Sequence, residues 1–383
     1  MLDRSYRRLA CASFLALMSS LAACGDSDPT GGSGGTGAAG GSGGSGGDGG
    51  APAADPYSLP LFDDVRINSH DDQPNFQAAT TDFELHDGPF ASATLIVDLA
   101  STCYPFESWQ DNPPPTGENW PADCDAFDRN FEFLVDEPGA DGEPPAIELV
   151  RAITPFGGPL HLEIDVTDVV NGLAPGAHTM KTTITTWSDG EGQVSGSNGG
   201  WNVTARLDVT PGTAPRKVLA MIPLYNGSQT AEASPNLSFT VPEGATSGRI
   251  EYRVTGHGGG QGNADCIGPA EEFCKREHTV HLDGEELDVF TPWRTDCKDL
   301  CTLTHYGPES AGFDYCLENP CGAIQSVKAP RANWCPGSMT PPVVWEQGAL
   351  ATPGEHTLDW TIPELAEGGS WRISATYFAF GDP

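Results

Sequence analysis

Beyond residue 90, apolar and polar residues alternate over short stretches. The segments ATLIVDL (93–99), LHLEIDV (160–166), WNVTARLDV (201–209), RIEYRV (249–254), HTLDWTI (356–362) and WRISATYFA (371–379) all carry the pattern. A period of two, built from Val, Ile, Thr and aromatics and broken by Gly, Pro and Asp, predicts half-buried strands, and so antiparallel sandwiches. No stretch sustains a long 3.6-residue apolar face; DVTDVVNGL (165–173) suits a single helical turn capped by Thr167 or Asp168. The turn-rich TPGTAPRK (210–217) separates the strands into two groups and predicts a domain boundary.

The first 54 residues follow other rules. Arg4, Arg7 and Arg8 precede a mostly apolar run from Leu9 to Leu21, which is too short to span a membrane as a mature helix and reads as a secretory signal. The run ends in LAAC (21–24), which resembles a bacterial lipobox. That resemblance implies cleavage before Cys24, lipidation of its thiol, and an envelope lipoprotein, expected in the outer membrane. Residues 25 to 54, with GGSGGTGAAGGSGGSGGDGG inside them, have almost nothing apolar to bury and predict a flexible tether. A G-x-S-x-G match at Gly31–Gly35 has no strand or helix around it, so it is not a nucleophile elbow. The expected organisation is a signal peptide (1–23), an acylated Cys24 with its linker (24–54), an N-terminal domain (55–212) and a C-terminal domain (213–383), the last two long enough to bury cores.

Charge and cysteine content narrow the partners. The formal charge is −34, and loss of the signal would take it to −36. Such a chain repels nucleic acid and anionic head groups, so neither is an expected partner and membrane contact is left to the lipid anchor alone. Nine of the eleven cysteines follow Cys24, in an export compartment where bridges persist. Nine is odd. Five crowd together as Cys297, Cys301, Cys316, Cys321 and Cys335, so the leftover thiol is expected among them.

Most catalytic patterns are missing. There is no H-E-x-x-H, P-loop or C-x-x-C, and the loop GHGGGQG (256–262) opens no helix whose dipole could hold a phosphate. His278 and His281 fall on opposite faces of a predicted strand, which leaves a His257/His278 pair as the alternative for a metal against ordinary polar packing. Carboxylates enclosed by cysteines are more suggestive. Cys103 and Cys124 bracket YPFESWQDNPPPTGENWPAD and would pin the strand start that carries Asp128; Cys266 and Cys274 bracket Glu271 and Glu272. Two acidic loops held this way suit the paired acid and base of a hydrolase, or are simply solvated loops in an acidic protein.

Six collinear pieces weight that choice. CDAFDR (124–129), RAITPF (151–156), LEIDVTD (162–168), TTW (185–187), EFCKREHT (272–279) and RANWCPGSM (331–339) resemble, in order and approximate spacing, bacterial peptide-N-glycosidase F. The resemblance implies an all-β protein of two eight-stranded jelly rolls packed side by side, acting as an amidase on the Asn–GlcNAc linkage of N-glycosylated proteins or glycopeptides, as a monomer and without cofactor or metal. It implies that Asp128 is the catalytic acid residue and Glu272 the cleft glutamate, that Arg331 binds the sugar core, and that Trp187 and Arg129 line the cleft.

Chemistry supports those roles. An unactivated amide needs a carboxylate to polarise water and a donor to help the glycosylamine leave. Arg129 beside Asp128 is expected to lower its pKa and keep it ionised. Trp187 offers a sugar-ring face and Arg331 offers hydroxyl donors. One departure stands out: the family's third acidic position, two before the tryptophan, is Thr185 here, while Phe127 and Phe273 replace tryptophans. A non-catalytic glycan- or protein-binding lipoprotein is therefore the alternative. A copper monooxygenase, a use of the same paired fold, would need histidine clusters that the scattered histidines do not form.

Overall fold

The computed structural model describes residues 55–136, 145–189, 194–230, 235–261 and 266–382. The predicted signal, Cys24 and tether lie outside the described residues.

Strands dominate, and their pairing separates them into two sandwiches. Up to residue 211, Tyr57–Asn68, Gly200–Pro211, Phe90–Ala100 and Leu160–Asp165 form one antiparallel sheet in that spatial order. Facing it, Ile147–Ile153, Asn130–Val135, Gly176–Ile184 and Ala78–Leu85 form the second. After residue 216 the partners change. Leu237–Val241, Gly354–Thr361, His278–Leu282 and Glu285–Phe290 make one sheet; Val343–Glu346, Ser247–Gln261, Glu367–Gly381 and Lys217–Gln229 make the other. Each half thus carries eight antiparallel strands in two layers, as the alternation and the resemblance predict. Among the described residues only the two-residue strand Ser338–Met339 crosses over, pairing with Ile153 and Ala152 of the first half.

Every alternating segment read from the sequence is a strand, because its apolar set fills a core. Leu95, Val97 and Leu99 face Val203, Ala205 and Leu207 in one cluster; Ile250, Tyr252 and Val254 face Ile373, Ala375 and Tyr377 in the other. Tyr57–Asn68 and Ala78–Leu85 precede the region where alternation is clear. The first is broken by register shifts at Pro60/Phe62 and Phe62/Val65, which interrupt its period of two. GHGGGQG is largely not a loop: it continues the strand Ser247–Gln261.

The helical turn is Thr167–Gly172, but neither proposed residue caps it. The residue at the cap is Val166, with no side-chain bond; Asp165 Oδ1 accepts from the Thr167 amide at 2.9 Å in the turn ahead of the helix, while Asp168 pairs with Arg249 at 2.7 Å across the two halves. A second cross-half tie joins Arg372 to Glu132 at 2.8 Å, where two arginines hold the Glu132 carboxyl below its usual range against burial. Phe378 and Phe380, from the last strand, pack into the first half's core. The sandwiches are therefore joined by both apolar burial and buried ion pairs.

Candidate active site

Several of the pieces singled out in the sequence meet at one place between the halves. The first is the loop from Cys124 to Arg129. Cys103 is bonded to Cys124, and the Cys103 sulfur lies 3.2 Å from the Asp125 carbonyl oxygen. Thr154, from the RAITPF piece, clamps the other end: its hydroxyl accepts the Arg129 amide at 2.9 Å and donates to the Phe127 carbonyl at 3.2 Å, while its amide reaches the Arg129 carbonyl at 2.8 Å. Asp128 sits on this clamped loop two residues ahead of the strand Asn130–Val135, not within the strand.

The second element is the loop closed by the Cys266–Cys274 bridge, a short 3-10 turn Glu271–Phe273. The two glutamates diverge. Glu271 is fully buried and takes both Arg276 nitrogens at 2.8 and 2.9 Å, the Trp371 indole at 2.8 Å and the Ala366 amide at 2.7 Å. A carboxylate so fully occupied anchors the turn. Glu272 turns outward, and its carbonyl accepts the Ala332 amide at 2.8 Å.

Arg331 joins the two. Its side chain is 1% exposed; Nη1 donates to Glu272 Oε1 at 2.9 Å and Nη2 stands 3.9 Å from Asp128 Oδ2. Nη2 also donates to the Ser326 carbonyl and hydroxyl at 2.9 and 3.0 Å, and the guanidinium is sandwiched by Phe273 at 4.7 Å and Trp334 at 4.5 Å. Phe273 therefore keeps an arginine-bearing face where a tryptophan was expected. The residue read as a sugar ligand is paired with two carboxylates. Its remaining donor, Nε, is buried with no protein partner.

Both carboxylates remain partly open, with 19% of the Asp128 side chain and 23% of the Glu272 side chain reaching solvent. Burial is the largest influence on each and raises its pKa, to about 7 for Glu272; Arg331 opposes the rise in both, and the Asp128 charge adds to it at Glu272.

Burial outweighs the lowering that Arg129, as adjacency suggested, exerts on Asp128. The Arg129 Nε lies 3.0 and 3.1 Å from the two oxygens of buried Asp125, so its main partner is Asp125, and the Asp128 carboxyl rises, not falls. Burial carries Asp125 itself up to about 6 in spite of the arginine. The Arg129 guanidinium bridges the rings of Phe127 at 5.1 Å and Trp187 at 5.6 Å, and Trp187 is 43% exposed. Thr185 is exposed, and its amide binds the Asn130 carbonyl at 3.0 Å, two residues from Asp128.

The remaining cysteines pair as Cys297–Cys335 and Cys301–Cys316, and Cys321 is free. The first bridge staples the segment carrying Arg331 and Trp334. The histidine pair does not form a metal centre. His278 packs edge-on to Trp371 inside the second core and contacts Tyr252, whereas His257, five residues on from Tyr252 in the same strand, points to the opposite face and stacks on Trp334. Burial drives both imidazoles down to about 3, so they are neutral. Among the described residues, the one group of three or more ligand-type side chains is Cys103, Cys124 and Cys321, two of them locked in a bridge. A cavity of about 720 Å³ between the sandwiches, lined by Arg151, Arg249 and Arg253 among others, is separate: Asp128, Glu272 and Arg331 do not line it, and its arginines are paired internally.

Comparison with known proteins agrees with this architecture. Residues 224–378 match the family model described as peptide-N-glycosidase F, C terminal. The fold matches a recombinant peptide:N-glycanase F (17% identity, TM-score 0.63, 86% of this chain and 97% of that one) and the glycosylasparaginase PNGase F of Flavobacterium meningosepticum (16%, 0.61, 86% and 97%). It also matches PNGF-II at 19% identity and a TM-score of 0.62, where the alignment takes 85% of this chain but spans only 65% of PNGF-II. No curated protein matches the sequence. The resemblance to peptide-N-glycosidase F thus holds in sequence over residues 224–378 and in fold over both sandwiches.

Proposed function

We propose that the chain hydrolyses the amide bond between an asparagine side chain and the first N-acetylglucosamine of an N-glycan. The observation that supports this most is the meeting of Asp128 and Glu272, from opposite halves of the chain, on the single buried guanidinium of Arg331. A surface ion pair would need neither the burial, nor the paired aromatic faces, nor the two bridges that hold it.

Asp128 orients a water and accepts its proton as the oxygen adds to the asparagine carbonyl carbon. Glu272, held near 7, still carries a proton close to neutrality and gives it to the nitrogen as the C–N bond breaks. The products are an aspartate in the peptide and a glycosylamine, and atoms balance with water alone. Arg331 keeps two acidic groups together without both having to be neutral. Trp187, exposed and backed by Arg129, supplies a face for the sugar beside the linkage.

A glycan-binding protein without turnover is the second reading, favoured by Thr185 where the family carries an acid. The two separate when the full chain is incubated with a denatured N-glycoprotein and the former glycosylation sites are sequenced by mass spectrometry: conversion of Asn to Asp supports the amidase, intact glycopeptide the binder. Attachment to the envelope through Cys24 is proposed as well, and loss of radiolabelled fatty acid in Cys24→Ala tests it.

A further inference from the structure

Two disulfide loops that do not contribute Asp128, Glu272 or Arg331 come together in one aromatic cluster. The loop between Cys103 and Cys124 carries Tyr104, Phe106 and Trp109; the loop between Cys301 and Cys316 is a hairpin, Leu303–Tyr306 against Phe313–Cys316, that carries Tyr306, Phe313 and Tyr315. Phe106 is the hub, 4% exposed, with ring centroids of Tyr104, Trp109, Tyr306, Phe313 and Tyr315 all between 5.0 and 5.5 Å away and all five in edge-to-face geometry, with interplanar angles of 63° to 83°. Only Phe106 and Tyr315 are buried. Phe313 is 42% exposed, and Tyr104, Trp109 and Tyr306 are half-buried.

A mini-core that served only to pin two loops would turn its rings inward. This one buries two rings, leaves three half-buried and exposes Phe313, with Leu303 and Leu317 exposed at the ends of the same hairpin, and exposed apolar surface of this kind marks contact sites. Its edges are polar: His305 pairs with Asp314 at 2.8 Å on the hairpin, and Glu107, Ser108 and Gln110 lie exposed between the aromatic positions of the first loop. Flat apolar faces rimmed by planar polar groups match a pyranose ring, with its apolar C–H face and equatorial hydroxyls, better than a peptide side chain.

The cluster is also continuous with the candidate site. Trp109 meets Trp120 at 5.8 Å, and Trp120 packs with Cys103, Cys124 and Ala126, two residues before Asp128. On the other side the hairpin ends at Cys316, and the same segment runs on to Ser326, which accepts from Arg331.

We propose that this aromatic platform is a carbohydrate subsite that takes the sugar rings of the substrate glycan distal to the cleaved linkage. It rests on the amidase reading for its substrate, but not for its ligand. The platform selects N-glycans that extend beyond the first two residues, and it raises affinity without touching the reacting atoms.

The test uses the full chain, a free oligomannose N-glycan and the free GlcNAc disaccharide in ligand-detected NMR, together with kinetics on a glycopeptide carrying the whole glycan and on one trimmed to the disaccharide. Phe313→Ala spares the Phe106 hub, and Phe313→Trp restores a face. Wild type is expected to bind the oligomannose glycan, Phe313→Ala to weaken that binding about tenfold and raise KM for the whole-glycan substrate equally at unchanged kcat, and Phe313→Trp to recover both. The trimmed substrate should be unaffected. Equal effects on both substrates, undiminished glycan binding by Phe313→Ala, or Phe313-dependent binding of the glycan-free peptide would each overturn the proposal. Phe313-dependent glycan binding by a chain that cleaves nothing would leave the subsite standing and remove the amidase reading instead.

Discussion

The Arg331 guanidinium lies 2.9 Å from Glu272 and 3.9 Å from Asp128, so one buried cation from the second sandwich couples an acid of each half. Arg331→Met should leave both carboxylates in a half-buried site without their common counter-charge. Glycan release should drop at least about 10²-fold, with a destabilisation of roughly 3 kcal/mol seen as a lower urea midpoint, the cost of an uncompensated buried pair. Arg331→Lys keeps the charge but not the two-pronged reach, and should recover stability more than activity. Equal recovery of both would deny the bridging role.

The pH profile follows from the same pair. Glu272 acts as the proton donor with a pKa near 7, so activity should decline as pH rises through about 7, and the opposite limb, where Asp128 becomes protonated, should lie above the ordinary aspartate range. Glu272→Gln should abolish the alkaline limb. The sign for stability is the reverse of a paired carboxylate: the folded state keeps a proton on Glu272 that the unfolded chain releases near 4.5, so folding weakens between about pH 4.5 and pH 7, and Glu272→Gln removes that part of the slope.

Thr185 is exposed and tethered by its amide to Asn130, beside the Asp128 loop. Thr185→Glu should fold normally, since the side chain meets solvent, and should leave or raise the rate of glycan release. A fall of tenfold or more would mean that position 185 in this chain requires a neutral side chain.

Much of this was readable in the sequence because it is local. Strand alternation depends on neighbours two residues apart, and it located strands of both sandwiches, but not Tyr57–Asn68, where bulges break the period, nor Ile147–Ile153, which is buried on both faces and so does not alternate. The pieces CDAFDR, EFCKREHT and RANWCPGSM pointed to Asp128, Glu272 and Arg331. What they did with one another was not readable. Arg129 adjoins Asp128 in the chain, yet its Nε is held by Asp125 four residues back, because the clamped loop directs the two side chains apart. The pairing of Asp168 with Arg249, the burial of Glu271 against Trp371, and the Phe106 hub all depend on partners brought in by topology, which spacing does not encode.

The Cys103–Cys124 bridge should contribute about 2–4 kcal/mol of stability by closing its loop in the unfolded chain. Its neighbour complicates removal: the Cys321 sulfur lies within 4.8 Å of both bridge sulfurs, and burial keeps its thiol protonated, with a pKa raised far above that of an ordinary cysteine. Cys103→Ala should therefore yield a Cys124–Cys321 bridge on peptide mapping, while Cys103→Ala with Cys321→Ala should show the full loss in denaturant titration. A free Cys124 in the single variant would contradict this.

The central claim is that Asp128 activates water for amide hydrolysis. The most direct measurement is single-turnover release of glycan from an N-glycopeptide by wild type and by Asp128→Asn, read as Asn-to-Asp conversion by mass spectrometry, with thermal unfolding run in parallel. The account predicts a loss of about 10²-fold or more in the chemical step with folding nearly unchanged, because Asn retains size and most hydrogen bonding but lacks the charge that orients the water. Full activity in Asp128→Asn, or no conversion by wild type, would contradict it and leave the glycan-binding reading in its place.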